Sequence, residues 1–384
     1  MKLVFLCTSL APGRDGVGDY VRQLAAACAQ LGHVCLLVAL HDRHLARPSE
    51  LVQRYNEVRF PATLPWSRRA EMLHRLLHEF DPHWVSWQMV PYGFHPKGIL
   101  PGAAFALIDA AKPWQNHVLL HELWLGLAQA DRLRPRLVGA LQRRQVLAFL
   151  RRLAPAAVHT TNPAYQLALA RHGWPAEILP LFGNIPVQPV AREAARTELA
   201  ALAGDALPRP PHTLGVIFGT IHPQWQPDAT LAFLRDAGAR ARRPVALVTL
   251  GRIGAHGTRL LAHLAQSLPV FDAGPHSPDT ISRLLHAMDF GLATHPWALI
   301  GKSGTAASLI DHGLPIIVPR DDWHPRHGTI TVAPDPLLRR LGELTPDSFA
   351  DFLSLRREPA PQLPAIASRF IASLGSPAPG ALVA

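Results

Sequence analysis

Short apolar runs of strand length alternate along the whole chain with longer segments that have the periodicity of an amphipathic helix. The apolar runs in the first half predict six strands, at residues 3–7, 34–38, 84–87, 118–121, 157–160 and 178–181. The clearest helix follows the first strand, because Val21, Leu24 and Cys28 fall on one face and Gly32 provides a stop signal. Strands that alternate with helices form parallel sheets, so the pattern predicts an α/β fold.

The alternation is interrupted once, by a proline-rich stretch with a short charged helix, and then starts again. Four more strands are predicted beyond it, at residues 214–218, 245–250, 289–294 and 316–318. We therefore predict a first domain at 1–186, a linker at 187–211, a second doubly wound domain at 212–345 and a tail at 346–384. The tail carries two short helical stretches and could pack back on the first domain.

Composition fits a folded protein of this size. A chain of 384 residues corresponds to two or three domains at roughly 150 residues each. Apolar residues make up 48% of it and charged residues 17%, which excludes a mostly disordered chain. No apolar run approaches the ~18 residues of a membrane span, and the first apolar stretch is too short for a signal peptide, so we expect a cytoplasmic protein. Cys7, Cys28 and Cys35 lie in apolar segments and are expected to be reduced core thiols.

The net charge of +10 favours a negatively charged ligand or partner. Nucleic acid is not expected, because no nucleic-acid-binding motif or aromatic-interleaved basic stretch occurs. The arginines concentrate at 132–136, 143–144 and 151–152, on one predicted helix. Two interpretations stay open: a solvated basic face, or peripheral contact with the anionic headgroups of a membrane.

Two glycine-containing loops follow predicted strands and open into helices, where backbone N–H groups can bind an anion. In the first loop Gly13, Gly16 and Gly18 have the spacing G-x-x-G-x-G, which is not the dinucleotide motif, so the loop is either a plain tight turn or a ligand site. The second loop, 301–305, is not a Walker A motif, because Pro296 stands where that motif needs glycine. Its small residues and Lys302 nevertheless predict a phosphate site.

His121 and Glu122 follow the predicted strand 118–121, at the edge where parallel sheets bind ligands. A histidine there can orient a hydroxyl or share a proton, and the carboxylate beside it can fix its tautomer; a purely structural role is the alternative. His74 and His78 lie one helical turn apart but lack the His-Glu-x-x-His arrangement, so we interpret them as a solvated helix face and predict no metal site.

Four segments, in this order, resemble a bacterial glycosyltransferase of the GT-B fold, nearest to the retaining family 4 group: residues 16–20, 121–124, 179–186 and 289–315. The resemblance covers roughly residues 1–319. It implies two Rossmann-like domains facing across a cleft, with the acceptor mainly on the first and the nucleotide-sugar donor mainly on the second. It also implies no cofactor and no tightly bound metal.

The resemblance assigns roles to particular residues. His121 would touch the transferred sugar, with Glu122 beside it as the second catalytic candidate. Gly16 would present its backbone to the donor phosphate or the acceptor. On the acceptor side the candidates are Asp15, Gly18 and Asp19, and at the donor diphosphate they are Arg252, Lys302, Ser303, Gly304 and Thr305.

The sequence also departs from this family. The two donor-binding glutamates of the family would fall at Ile300 and Ser308, and neither is acidic. The basic pair expected after the first strand of the second domain is missing from residues 219–225, and Arg252 and Lys302 are the available substitutes.

The sequence thus predicts a glycosyltransferase that moves a sugar from a nucleoside diphosphate to a hydroxyl acceptor, with a lipid-linked acceptor as one option. Two alternatives stay open. One is a non-catalytic GT-B-like binding or scaffold protein that kept the fold and lost donor affinity. The other is a nucleotide-sugar epimerase, for which the sequence offers no paired carboxylates.

Overall fold

The computed structural model describes residues 1–45, 52–54, 56–332 and 335–375. The chain divides into two compact units. The first consists of the described residues of 1–180, 324–330 and 363–375, and the second of those of 181–323 and 331–362.

Each unit contains one sheet. The strands of the first are β1 (Lys2–Cys7), β2 (Val34–Asp42), β3 (Val52–Arg54), β4 (Glu57–Pro61), β5 (Trp84–Met89), β6 (Gln115–Leu120), β7 (Ala157–Thr160) and β8 (Glu177–Ile178). Those of the second are β9 (Thr213–Phe218), β10 (Val245–Leu250), β11 (Val270–Gly274), β12 (Phe290–Leu292), β13 (Ile316–Val318) and β14 (Leu338–Arg340). The orders are β3-β4-β2-β1-β5-β6-β7-β8 and β11-β10-β9-β12-β13-β14. All neighbouring strands run parallel except β3, which is antiparallel to β4.

The helices follow the strands as crossover connections. Those of the first unit up to residue 180 are α1 (Gly16–Gln30), α2 (Trp66–Phe80), α3 (Pro91–Phe94), α4 (Ala106–Ala111), α5 (Leu133–Leu153) and α6 (Pro163–Ala170). Those of the second unit are α7 (Arg192–Ala203), α8 (Asp228–Arg240), α9 (Gly254–Ala265), α10 (Pro278–Ala287), α11 (Gly304–Asp311) and α12 (Phe349–Ser354). The last helix, α13 (Leu363–Gly375), belongs to the first unit. Within the described ranges, no helix is both long and apolar enough to cross a bilayer.

The sequence of strand β10 is a nearly continuous apolar run because its side chains are buried on both faces of the sheet. Ala246, Val248 and Leu250 belong to one buried cluster, while Val245 and Leu247 belong to another. Successive side chains of a strand point to opposite faces, so both faces of this sheet are covered. The two doubly wound Rossmann-like domains predicted from the sequence are confirmed.

The strand predictions are largely confirmed, but two strands are shorter than predicted and four were missed. The predicted strand at 178–181 is shortened to β8, Glu177–Ile178, and the one at 289–294 to β12. Strands β3, β4, β11 and β14 were not predicted. All four lie at or next to a sheet edge. The edge strand β11, with the sequence VFDAG, is only partly buried and lacks the apolar run on which the prediction relied.

The segments predicted as linker and tail both pack on a unit. Residues 187–211 lie in the second unit, where α7 packs against α10 and buries Ala195 and Leu199 in the core. The tail divides: α12 lies in the second unit, and α13 packs against α1 in the first. The Phe370 ring of α13 lies 5.7 Å from that of Phe5 on β1, between ring centroids.

Candidate functional sites in the two units

The first candidate site is the loop between β1 and α1. Asp15 caps the helix, and its Oδ1 accepts from the backbone N–H groups of Val17 and Gly18 at 2.9 and 3.0 Å. Asp19 closes the loop from the other side by accepting from the N–H of Gly13 at 3.2 Å. Burial raises the pKa of Asp19 above its ordinary value.

Gly16 and Gly18 of this loop have different structural roles. A Cβ on Gly18 would lie 2.4 Å from the carbonyl oxygen of Ser9, so only glycine allows α1 to approach the end of β1 this closely. A Cβ on Gly16 would meet nothing within 4 Å. The carboxylates of Asp15 and Asp19 are hydrogen-bond acceptors, which suit a hydroxyl, while Arg22 lies 3.8 Å from Asp19 and balances its charge.

His121 directly follows β6, and its side chain is buried, with 9% of the residue exposed. Its Nε2 lies 2.9 Å from Oε1 of Gln88, at the end of the neighbouring strand β5. The Tyr20 ring of α1 meets it edge-on, at 5.0 Å between centroids. Burial lowers the pKa of His121 to about 3, so the ring is neutral at physiological pH.

These contacts decide what His121 can do. An amide oxygen only accepts, so the imidazole donates to Gln88 from Nε2 and carries its lone pair on Nδ1. A neutral histidine in this state accepts a hydrogen bond, for example from a sugar hydroxyl, but does not supply a proton. Glu122 is half-buried. The orienting partner at Nε2 is Gln88, whereas the sequence had offered Glu122 for that role.

The second candidate site lies where β9, β12 and β13 end in the second unit. We call its four residues the basic cluster: His222, His295, Lys302 and Arg320. The two rings lie 5.8 Å apart between centroids. Nη1 of Arg320 donates to Nδ1 of His222 over 2.7 Å, because a guanidinium has no acceptor.

The positive charges of the basic cluster affect the pKa values of its two histidines. Burial comes first in lowering the pKa of both His222 and His295 to about 4, and the positive charges of Lys302 and Arg320 add to the effect. Both rings are therefore neutral at pH 7. The nearby His256 also lowers the pKa of His222, and its Nε2 is buried without a hydrogen-bond partner in the described part of the chain.

Arg320 is held rigidly. Its side chain is 5% exposed and pairs with both carboxylate oxygens of Asp322, at 3.0 and 2.8 Å. A further N–H donates to Gln224 over 3.2 Å. Sequence analysis missed Arg320, because it stands 98 residues after His222 and only the sheet order brings the two loops together.

The predicted phosphate loop is the start of α11. Ser303 caps this helix by accepting from the N–H of Ala306 at 3.2 Å, and its hydroxyl also meets Thr305 Oγ1 at 3.0 Å. A Cβ on Gly304 would meet nothing within 4 Å, so the backbone at this helix start is open. A Cβ on Gly219, at the end of β9, would lie 2.7 Å from the methyl group of Thr305, which places these two loops in contact.

The remaining predicted donor residues are also located. Arg252 is exposed after β10, and its carbonyl oxygen accepts from Thr220 Oγ1 at 3.3 Å. The positions of the two missing glutamates are packed: Ile300 belongs to the apolar core, and the Ser308 hydroxyl donates to the Gly304 carbonyl over 3.0 Å. The described residues contain no cluster of three or more histidines, cysteines or carboxylates arranged to hold a metal.

Helix α5 has a basic and apolar outer face. Leu133, Leu137 and Leu141, spaced four residues apart, are 66%, 64% and 46% exposed. The helix contains no acidic residue. Among the residues with described side chains, Arg152 pairs with Asp109 at 2.5 Å, but no ion pair is formed by Arg134, Arg136, Arg143 or Arg144.

The sequence matches neither a protein-family model nor a curated protein. Solved structures share its fold. HepE from Anabaena, in complex with UDP and glucose, is 15% identical with a TM-score of 0.55, over 98% of this chain and 97% of that one. Sucrose-phosphate synthase from Thermosynechococcus elongatus is 14% identical with a TM-score of 0.57, over 97% and 96%. A putative UDP-N-acetylglucosamine 2-epimerase from Listeria monocytogenes is 13% identical with a TM-score of 0.51, over 97% and 95%.

These similarities confirm the GT-B fold class. The structures that share this fold include a sucrose-phosphate synthase and a putative epimerase, so the likeness shows the fold and does not choose an activity.

Proposed function

We propose that this protein is a glycosyltransferase that transfers a sugar from a nucleoside diphosphate to a hydroxyl acceptor, with retention of configuration. The observation that carries the proposal is the basic cluster at the carboxyl ends of β9, β12 and β13. In open parallel sheets, ligands bind at this edge. Lys302, the rigidly held Arg320, the neutral histidines and the open start of α11 together suit a diphosphate.

The chemistry required of such a site is modest. As the bond between sugar and diphosphate breaks, negative charge grows on the departing phosphate and the sugar acquires oxocarbenium character. Lys302, Arg252 and the N–H groups at the start of α11 stabilise that charge, and Arg320 contributes as a rigidly held cation. We assign His121 to a hydroxyl of the transferred sugar, and Asp15, Gly18 and Asp19 to the acceptor side. The reaction as proposed uses no cofactor or metal.

We further propose that the acceptor is lipid-linked and that α5 contacts an anionic membrane surface peripherally, at the cytoplasmic face. The support is the combination on one helix of exposed leucines with arginines. Apolar side chains can insert at the headgroup boundary while arginines pair with lipid phosphates.

Calorimetric titration with UDP-, GDP- and dTDP-sugars tests the donor site. Lys302→Ala removes one charge-assisted contact, worth about 1.5–3 kcal/mol, so the Kd for the preferred donor should rise about tenfold or more. Lys112→Ala, which removes an exposed lysine of the first unit, is the matched control and should leave the Kd unchanged. Equal affinity in wild type and Lys302→Ala would remove Lys302 from the site.

The same donor panel separates the alternatives. Transfer to an acceptor, or slow release of free sugar to water, supports the transferase. Conversion of the nucleotide sugar to its epimer without acceptor would identify an epimerase, and no binding to any donor would favour the scaffold protein.

A further inference from the structure

A continuous chain of hydrogen bonds runs from His121 through the interior of the first unit. His121 Nε2 meets Gln88 Oε1 at 2.9 Å, and Gln88 Nε2 donates to Ser86 Oγ over 2.8 Å. Ser86 Oγ lies 2.8 Å from Nδ1 of His117, and His117 Nε2 lies 3.0 Å from Nδ1 of His159. All five side chains are buried, on or next to β5, β6 and β7. Three histidines are thereby joined in one network.

The His159 end of this chain has a defined polarity. Oε2 of Glu177 lies 3.8 Å from Nε2 of His159, and a carboxylate there favours a proton on that nitrogen. Nδ1 of the neutral His159 is then an acceptor, so His117 donates to it from Nε2. Nδ1 of His117 is in turn an acceptor, and the Ser86 hydroxyl donates to it.

The His121 end has the same polarity. Because the Ser86 hydroxyl donates to His117, its oxygen accepts the amide N–H of Gln88. The amide of Gln88 is therefore oriented with its oxygen toward His121, where it accepts from Nε2. Every bond donates in one direction, from His121 toward Glu177.

We infer that Gln88, held in orientation by Ser86 and His117, is a positioning residue that fixes the tautomer of His121. The fixed tautomer has the proton on Nε2 and the lone pair on Nδ1. A side-chain amide does not pass a proton from its oxygen to its nitrogen. The chain of hydrogen bonds therefore orients the His121 ring and does not conduct protons. The catalytic consequence of this tautomer rests on the proposed function, in which Nδ1 accepts from a sugar hydroxyl. If the side-chain amide of Gln88 were flipped by 180°, His121 would carry its proton on Nδ1 and could not accept there.

Imidazole nitrogen shifts in ¹⁵N-histidine-labelled full-length protein test the tautomer directly. The signals of His121 are those missing from His121→Gln. We expect His121 in wild type to be neutral at pH 7 with its proton on Nε2, and His117 and His159 to share that tautomer. A proton on Nδ1 of His121, or a rapid mixture of the two forms, would overturn the inference.

Kinetics of two variants test the positioning role. Gln88→Met removes the acceptor at Nε2, and Ser86→Ala removes the group that orients the amide. Both should mix the tautomers of His121 in the nitrogen spectrum and lower kcat about tenfold, with KM for the donor changed less than twofold.

The matched control is Gln142→Met in the same unit. Gln142 is as buried as Gln88 and equally bonded at both ends, accepting from the N–H of Leu125 and donating to the carbonyl of Lys97. It should lose stability without mixing the tautomers or lowering kcat comparably. Wild-type kcat and an unchanged His121 tautomer in both test variants would refute the role of Gln88.

The two proposals fail separately. If no nucleotide sugar binds but His121 holds the expected tautomer, the proposed function is wrong and the positioning network stands. If donors bind and are turned over while the tautomer is reversed, the network inference is wrong and the function stands.

Discussion

Histidine is the most informative residue type in this protein, because burial keeps several of its rings neutral. The pKa falls to about 3 for His121 and to about 4 for His222 and His295, with burial as the largest cause in each case. In the first candidate site His121 can therefore offer a lone pair at pH 7, whereas in the second the Nδ1 lone pair of His222 already accepts from Arg320. In the proposed function, the positive charge that a nucleotide sugar requires comes from Lys302 and the arginines.

His121→Gln separates the two interpretations of His121. Glutamine keeps an N–H for Gln88 but removes the acceptor at Nδ1, so the thermal midpoint should stay within a few degrees while kcat falls tenfold or more. Thermal unfolding and steady-state kinetics on the same preparation measure both. A large loss of stability with normal kcat would return His121 to a structural role.

At the scale of single residues, the sequence could predict those whose role is indicated by their immediate sequence neighbours. His121 at a strand end and Ser303 before a run of small residues are both visible in a short window of sequence. Gln88 and Arg320 are not, because their partners lie 33 and 98 residues away and only strand pairing brings them together. A polar residue inside the apolar strand β5 was the one available signal for Gln88.

Among the elements, α5 is the one whose role the fold does not explain. Its inner face buries Val146, Phe149 and Leu150, whereas Leu133, Leu137 and Leu141 on its outer face stay exposed. The arginine positions were predictable from the sequence. The exposed leucines were not, because a leucine at helical spacing is normally assigned to the core.

Vesicle flotation tests α5 as a membrane-binding element. Wild type should float with anionic vesicles at low salt and be released at high salt, because attraction to lipid phosphates is screened beyond a Debye length of about 8 Å at physiological ionic strength. Neutral vesicles should retain little protein. Each basic residue near the surface contributes about 1 kcal/mol, so changing Arg134, Arg136, Arg143 and Arg144 to Gln should abolish binding.

A second variant, Leu133→Ser with Leu137→Ser, isolates the apolar contribution and should weaken binding at both salt concentrations. If wild type ignores anionic vesicles even at low salt, α5 is a solvated face and the acceptor is soluble.

For the molecule as a whole, the buried and half-buried neutral histidines make the free energy of unfolding depend on pH. Burial lowers the pKa of His41, His159 and His312 to about 4, as it does for the histidines of the basic cluster. The unfolded chain takes up protons near pH 6.5 and the folded chain near pH 4, so stability is lost as the pH falls through that window. For His159, which is 3% exposed, a shift of that size corresponds to about 3 kcal/mol.

Urea unfolding at pH 7.5, 6.0 and 5.0 should therefore show a falling free energy of unfolding. Asp311 acts in the opposite sense, because burial raises its pKa to about 6 and its folded form takes up a proton in the same window. Burial raises the pKa of Asp19 in the same sense, but two carboxyls are outnumbered by the histidines. Constant stability between pH 7.5 and 5.0 would show that these rings are not held neutral in the folded protein.

Because α13 belongs to the first unit, the two units acquire their last residues in a fixed order during synthesis. The ribosome synthesises the strands of that unit first, then all of residues 181–362, and only then the helix whose Phe370 packs on Phe5 and His117. During synthesis the second unit therefore has its full chain before the first does. A fragment ending at residue 180 lacks the aromatic ring that covers the middle of its own sheet.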